Sequence, residues 1–452
     1  MRSPRPLAAL LAVLATVCVT GLAACSSAPS EPTTVSEQTL NAIEADSGFT
    51  WDKQPVPLEL GVTHTQHSLD SHDPEEATDR GKEILGDDSA IWQNNHLMGF
   101  GTDNPEPSPG DYDWDSLDAR MELTEDTGGK AMLTLCCAPD WMKGGEEGET
   151  DWSTLEDNPL PEHFGDYAKL AAAAVERYPQ VSRVLVWNEL KGFYNDAANR
   201  WDYEGYTDFY NQVYTAVKAV RPDIQVGGPY VVLTSLDPGT TDASDQVTGP
   251  WGAVDQRALD VVDYWLQHKA GADFVAVDAS TKTRNDTLPP TVTDGAQKYA
   301  DLDRWLHERT DLPIWWAEFY PDVPDGAQAA ADSPASASAT LAAVAAYARS
   351  GAAGALLWGP QGDPELHYAA LWTDSTKDDG GRPTPLTAAW QWLVPRLAKG
   401  EVEIGHSPTS PMLVFRAPDG AVVVNASDES VQVASDTEPV GPWSITVVNR
   451  SS

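Results

Sequence analysis

Val184-Leu185-Val186-Trp187-Asn188-Glu189 is the stretch whose reading decides the fold. Three apolar residues make a short buried strand, which then delivers a Trp, an Asn and a carboxylate to its C-terminal end. A buried strand has no structural use for a Glu at its tip, because an unpaired charge there is costly to desolvate. Pro313-Ile314-Trp315-Trp316-Ala317-Glu318 repeats the design. The run between them is long enough for several strand–helix units, so two carboxylates are expected to face one another across a barrel mouth.

Working outward, short apolar runs at 58–63, 95–100, 130–136, 224–232, 273–277 and 354–358 read as further strands. Helical patterns alternate with them at 74–85, 115–127, 161–178, 206–220, 257–268, 299–309, 335–350 and 385–397. In one of these, Tyr206, Phe209, Tyr210, Val213, Tyr214, Val217 and Val220 form a single apolar face. Eight strands alternating with helices predict the α/β class and a parallel sheet, closed as a (β/α)8 TIM barrel with long loops. An open, doubly wound sheet is the alternative. The barrel is preferred because polar and aromatic residues gather just after strand ends, where barrel enzymes keep their sites. From Glu401 the pattern changes to short strands such as MLVFRA and AVVVNA, broken by turns such as Pro418-Asp419-Gly420. About 50 residues are marginal for an independent domain, so a small C-terminal β-module packed on the barrel is expected. A strand from before Leu58 is a candidate member of it.

Bulk composition narrows the function. Among 452 residues, 22% are charged and 41% hydrophobic, ordinary for a globular chain, but the 17 Trp are not. Some will be core, and sugar-binding clefts use exposed aromatic rings as stacking surfaces. The N-terminus reads as a secretory signal, with Arg2 and Arg5 ahead of an apolar run at 7–22. Leu22-Ala23-Ala24-Cys25 resembles a bacterial lipobox, which implies cleavage before Cys25 and a lipid on its thiol. The predicted organisation is a signal peptide at 1–24, a lipidated tether at 25–50, a catalytic barrel at 51–398 and the β-module at 399–452. The mature protein is expected at the extracellular face of the membrane, meeting the bilayer only through its lipid. Net charge is −40, and loss of Arg2 and Arg5 with the signal makes it more negative. Such a surface repels nucleic acid and anionic polymers and suits a neutral substrate.

Glycoside hydrolysis needs a pair of carboxyl groups across one bond. With Trp187-Asn188-Glu189 on strand four and Trp316-Ala317-Glu318 on strand seven, the chain resembles the clan A glycoside hydrolases. Trp141-Met142-Lys143-Gly144-Gly145 and Gly227-Gly228-Pro229 make it most similar to the family-39 β-xylosidase and iduronidase group, over residues 58–398. The resemblance implies that Glu189 is the acid/base and Glu318 the nucleophile of a retaining, xylosidase-like enzyme. It also implies that Asn188 binds the sugar 2-hydroxyl and that Trp358 floors the sugar subsite. Strict strand alternation would point Asn188 away from Glu189, so both can face the site only if the strand ends in a bulge or turn.

Other residues near the strand ends have both structural and functional readings. Trp141 and Trp372 sit in mouth loops and could stack on sugar or serve as packing. Tyr320, just past Glu318, could reach a carboxylate or the ring. His64, His67 and His96 lie in or after early strands and suit hydrogen bonding to sugar or backbone; without a Glu motif they argue against a metal. No cofactor is needed for this chemistry. Cys136 and Cys137 sit at the tip of strand three, either as two thiols or as a vicinal disulfide forming a rigid ring under the substrate. Adjacent Cα atoms, about 3.8 Å apart, lie below the usual disulfide range, but an oxidising compartment permits the bond. One departure from the family concerns strand six, which ends Val277-Asp278-Ala279-Ser280 without the expected His or aromatic residue. Asp278 and Lys282 are candidates to contact the sugar instead. The expected partner is an oligo- or polysaccharide. A sugar-binding lipoprotein without catalysis is the alternative, but receptors have two lobes around a hinge and need no matched Glu pair.

Overall fold

A computed structural model describes residues 35–450, apart from 67, 71, 87–89 and 365. The signal peptide, Cys25 and His67 therefore lie outside the described residues.

Eight parallel strands close into a barrel: Glu59–Thr63, Trp92–His96, Lys130–Leu135, Arg183–Val186, Gln225–Val232, Phe274–Ser280, Ile314–Tyr320 and Gly354–Trp358. Closure is made by strand eight pairing with strand one, Gly354 opposite Glu59 through Trp358 opposite Thr63. The chain is a (β/α)8 barrel. Both faces of its strands are covered, so they read as near-continuous apolar runs. Inside, Met132, Leu185, Phe274, Trp315 and Leu356 fill the lumen.

Strand two departs from the apolar rule. It runs Trp92–His96, three residues before the expected apolar stretch, and carries Gln93, Asn94 and Asn95, all buried. Gln93 donates to Thr127, Asn95 donates to Thr124, and Asn94 sits in a polar ladder. Thr134 donates to Asn94 at 3.0 Å, Asn94 donates to Thr63 at 3.2 Å, and Thr63 donates to the Ala317 carbonyl at 2.9 Å. Buried polar groups are tolerated where each finds a partner. The helix expected at 299–309 also begins earlier than its apolar pattern implies, at Val292, where Thr291 caps it by accepting from the Asp294 N–H. After strand five, Ser235–Leu236, Ala243–Gly249 and Gly252–Asp255 form a small antiparallel sheet that the sequence reading did not find.

The second sheet is antiparallel with five strands, in the order Thr50–Lys53, Glu403–Ser407, Ser410–Ala417, Gly420–Asn425 and Ile445–Asn449. Thr50–Lys53 therefore belongs here and not to the barrel, whose first strand starts at Glu59. The tether assigned to 25–50 also needs correction, because Glu37–Ala45 is a helix. Ser36 caps it by accepting from the Thr39 N–H. Its only large buried apolar residues are Leu40 and Ile43, too thin a stripe to stand out in sequence. Those two pack on Met412, Val414, Ala421 and Val423. The alternate residues Leu413, Phe415, Val422 and Val424 join the main core on the other face. Period-two alternation thus places the sheet between its own helix and the barrel's outer helices. The Pro334–Ser350 helix lies between two layers and is buried along nearly its whole length. Its Ala, Ser and Thr residues suit that position because small side chains permit close approach on every side.

Candidate active site

Strand four stops at Val186, and its functional residues lie just beyond it. Trp187, Glu189 and Leu190 have φ of 71°, 52° and 50°, so the chain turns through left-handed conformations. Such conformations cost non-glycine residues about 1–2 kcal/mol each. Packing holds them in place. Trp187 is wholly buried against Tyr167, Phe193 and Phe209, and its indole N–H donates to the Lys191 carbonyl at 2.8 Å. The turn brings Asn188 beside His96 and Glu189 to the barrel axis, which alternation alone would have prevented.

Strands five, six and seven reach the same point by slips of register. Val277 pairs with Trp316 but Asp278 with Glu318, which makes Ala317 an extra residue. Likewise Ala276 pairs with Pro229 and Val277 with Val231, which leaves Tyr230 extra at φ 51°. A bulge re-aims the side chains around it. One carboxylate oxygen from each of Glu189, Asp278 and Glu318 then lies within 4.8 Å of the others. Tyr230 donates to Glu318 Oε1 at 2.7 Å, and Tyr320 donates to the other Glu318 oxygen. The Lys191 ammonium stands 3.0 Å from Glu189 Oε2. Neither Tyr230 nor Lys191 was singled out in the sequence. Tyr230 follows Gly227-Gly228-Pro229 directly and Lys191 follows Glu189 by two, but only the bulge and the turn aim them.

Burial, followed by the charge of Glu189, pushes the Glu318 carboxyl up to about 8, against the pull of its two tyrosine donors. Three carboxyls in so dry a space do not all ionise together, so the site holds protons at neutral pH. Burial pushes His64 down to about 4 and His96 down to about 3, so both rings are neutral. His64 Nε2 meets Gln93 Oε1 at 3.1 Å, while His64 Nδ1, both His96 nitrogens and Asn188 Oδ1 have no protein partner. Each such buried orphan costs about 1–3 kcal/mol. A hydroxyl-bearing ligand would complete them. The three carboxylates are also close enough to share a divalent cation, which takes six or more oxygens. The surrounding groups oppose one: two tyrosine hydroxyls donate into the cluster and an ammonium sits on Glu189.

The remaining candidates divide. Trp358 ends strand eight, partly exposed, with its ring 5.4 Å from Tyr320. Trp141 is tied into its loop, its indole N–H donating to the Glu106 carbonyl at 2.9 Å and its ring 5.4 Å from His163. Trp372 is wholly buried and donates to Gln361; its aromatic face is used in packing. Cys136 and Cys137 are joined by a disulfide, but both are 0% exposed, so the ring lies under the mouth and presents no face to it. Lys282 pairs with Asp286 at 2.8 Å, away from the three carboxyls. Beside the site, a groove of about 740 Å³ is lined by Phe100, Asp103, Glu122, Asp126 and Trp152. Phe100 stands between the groove and the site, its ring 4.5 Å from His96 and 5.4 Å from the Lys191 ammonium.

No protein-family model matches the chain, and no curated protein matches it by sequence. Solved structures do match by fold. A monomeric beta-xylosidase from Caulobacter crescentus superposes with TM-score 0.55 at 16% identity, over 85% of this chain and 77% of that one. A glucosidase from Croceicoccus marinus gives 0.52 at 13% identity, over 88% and 82%. A family 39 glycoside hydrolase from the gut symbiont Bacteroides cellulosilyticus gives 0.50 at 15%, over 88% and 79%. At these identities the likeness establishes the shared fold.

Proposed function

We propose that the protein is a retaining, xylosidase-like glycoside hydrolase acting on a neutral glycan outside the cell. One observation carries the reading: Glu189 and Glu318, on strands four and seven, bring carboxylate oxygens within 4.8 Å of each other. Carboxyl groups roughly 5–5.5 Å apart leave no space for water between them, so one attacks the anomeric carbon directly. Glu318 is the nucleophile. It bonds to that carbon as the glycosidic bond breaks, and Glu189 gives its proton to the departing oxygen. Glu318, now an ester, has lost its charge. Glu189 then takes a proton from water, whose oxygen displaces Glu318 and restores both groups with retained configuration. Fold neighbours named as a xylosidase, a glucosidase and a family 39 hydrolase support the substrate class. The unpartnered polar atoms of His64, His96 and Asn188 suit a hydroxylated ring. The secretory signal and Cys25 support an external, lipid-anchored location.

The test is hydrolysis of a panel of aryl glycosides by wild type, Glu189→Gln and Glu318→Gln, with the first-formed anomer followed by proton NMR. Wild type is expected to turn over at least one sugar with retention, and each variant to lose most of that activity. If all three are inert on every sugar while one sugar still binds, the protein is a receptor and the hydrolase reading fails.

A further inference from the structure

Asp278 is the third carboxyl of the site, and neither family resemblance nor the double displacement assigns it a role. It is wholly buried at the end of strand six, no N–H or hydroxyl side chain donates to either of its oxygens, and its one hydrogen-bonding neighbour is the Glu189 carboxyl. An ionised carboxylate left in that state, within 4.8 Å of two others, would be about the costliest arrangement a protein interior offers. Every nitrogen and hydroxyl donor nearby is committed elsewhere, which leaves only the Glu189 carboxyl beside it. Tyr230, from strand five, and Tyr320, from strand seven, both donate to Glu318. Lys191, from the loop after strand four, holds Glu189 and Glu156. Lys298, from the helix packed behind strand six, donates to the Ser280 carbonyl at 2.7 Å. Tyr299, behind strand six, donates to the Ala279 carbonyl.

We propose that Asp278 enters the reaction as a neutral carboxylic acid whose O–H donates to a hydroxyl of the sugar ring bound between Glu189 and Glu318. Charge and proton counts agree with this assignment. The double displacement runs from the form of the site in which Glu318 has given up the proton that burial favours, with its two tyrosine donors supporting the anion, and Glu189 is the acid. With Asp278 also neutral, the three carboxyls carry only one negative charge, beside the Lys191 ammonium that Glu156 shares. Burial first, and then the flanking Glu189 and Glu318, act in the same direction by raising the Asp278 carboxyl well above its ordinary range. An uncharged donor at the ring also fits selection for a hydroxyl. A site built to hydrogen-bond a hydroxyl discriminates strongly against a ligand lacking it.

The proposal rests on the glycosidase reading, so its test has one arm that does not require activity. In the full-length protein at neutral pH, the infrared difference between wild type and Asp278→Asn should contain the carbonyl band of a protonated carboxylic acid. Absence of that band overturns the proposal whatever the protein hydrolyses. In the kinetic arm, run on whichever glycoside wild type cleaves, Asp278→Asn keeps a donor and cannot ionise. It should hold kcat/KM within about tenfold, whereas Asp278→Ala should lose roughly 10–100-fold more, the loss of one buried hydrogen bond. The basic limb of the pH profile should be the same in wild type and Asp278→Asn, because a group that stays neutral adds no titration there. Equal impairment of the two variants removes the donor role. Calcium that raises the Tm of wild type but not of Asp278→Asn makes the residue a metal ligand and also overturns the proposal. An inert wild type that still shows the acid band refutes the hydrolase and leaves Asp278 as a neutral sugar-binding acid.

Discussion

The two ends of the barrel handle their polar groups in opposite ways. At the floor, Arg183 lies between the rings of Trp92 and Trp315, 4.1 and 4.2 Å from their centroids. Glu59 takes Arg183 at 3.2 Å, Lys130 at 3.8 Å and the Trp92 indole N–H. Each charge there is answered by the protein itself. At the mouth, Asp278, His96, His64 Nδ1 and Asn188 Oδ1 are buried and unanswered. Strands one, two and four supply members of both sets. A polar group that the fold completes contributes to stability, while one left open costs stability until a ligand completes it. Floor substitutions should therefore be felt in folding, and mouth substitutions in turnover.

The largest effect that would sharpen this contrast is at Glu318. Glu318→Gln should lower kcat/KM on the order of 10⁴-fold or more, because no other group can form the covalent intermediate. Its stability should move the other way. Glu318 is raised from 4.5 to about 8 on folding, so the folded state holds this proton more tightly than the unfolded state. Stability from that proton is full below about pH 4.5 and is lost as pH climbs through about 8. Urea unfolding across that window should show a smaller loss of stability in Glu318→Gln than in wild type, since buried Asp278 and Asp303 are raised in both; equal slopes would place the raised group elsewhere. Glu189→Gln comes next, with a loss of roughly 10²–10⁴-fold on poor leaving groups and much less on activated aryl ones. A loss independent of the leaving group would remove Glu189 from the acid role.

Arg183→Met tests the floor. It takes one of three partners from Glu59 and removes two ring contacts, at about 2–3 kcal/mol, less than a fully buried pair because Glu59 keeps some water, Lys130 and the Trp92 indole N–H. Denaturant melts should record the loss, while kcat of the folded fraction stays within about twofold. A fall in kcat at constant Tm would break the division between the two ends. Tyr320→Phe should give the smallest effect, roughly tenfold in kcat/KM for one hydrogen bond to a carboxylate. Its donor favours the ionised nucleophile, so its removal should move the acid limb of the pH profile upward. A limb that stays still would mean that the hydroxyl does not hold Glu318 in the working enzyme.

Legibility in the sequence followed how local each signal was. Gly354–Trp358 was read to the residue because an apolar run between a Gly and a Trp is a local pattern. Trp92–His96 was misplaced because its polar side chains are satisfied by Thr63, Thr127 and Thr134, which lie far away in sequence. Helix Glu37–Ala45 was missed because the sheet it covers is formed by residues several hundred positions later. Trp372 and the Cys136–Cys137 ring looked like mouth features from their positions at strand ends, but burial is a property of the assembled fold.

The sequence alone determined the alternation of strands and helices, the two strand-end glutamates and the net negative charge, since each is written in neighbouring residues. Tertiary structure decided which groups surround those glutamates. The left-handed turn at Trp187–Leu190 and the extra residues Tyr230 and Ala317 rotate side chains off the regular pleat. That rotation gathers Glu189, Asp278 and Glu318 in one dry space. A bulge exists only in the pairing of two strands, so no single stretch of the chain can announce it.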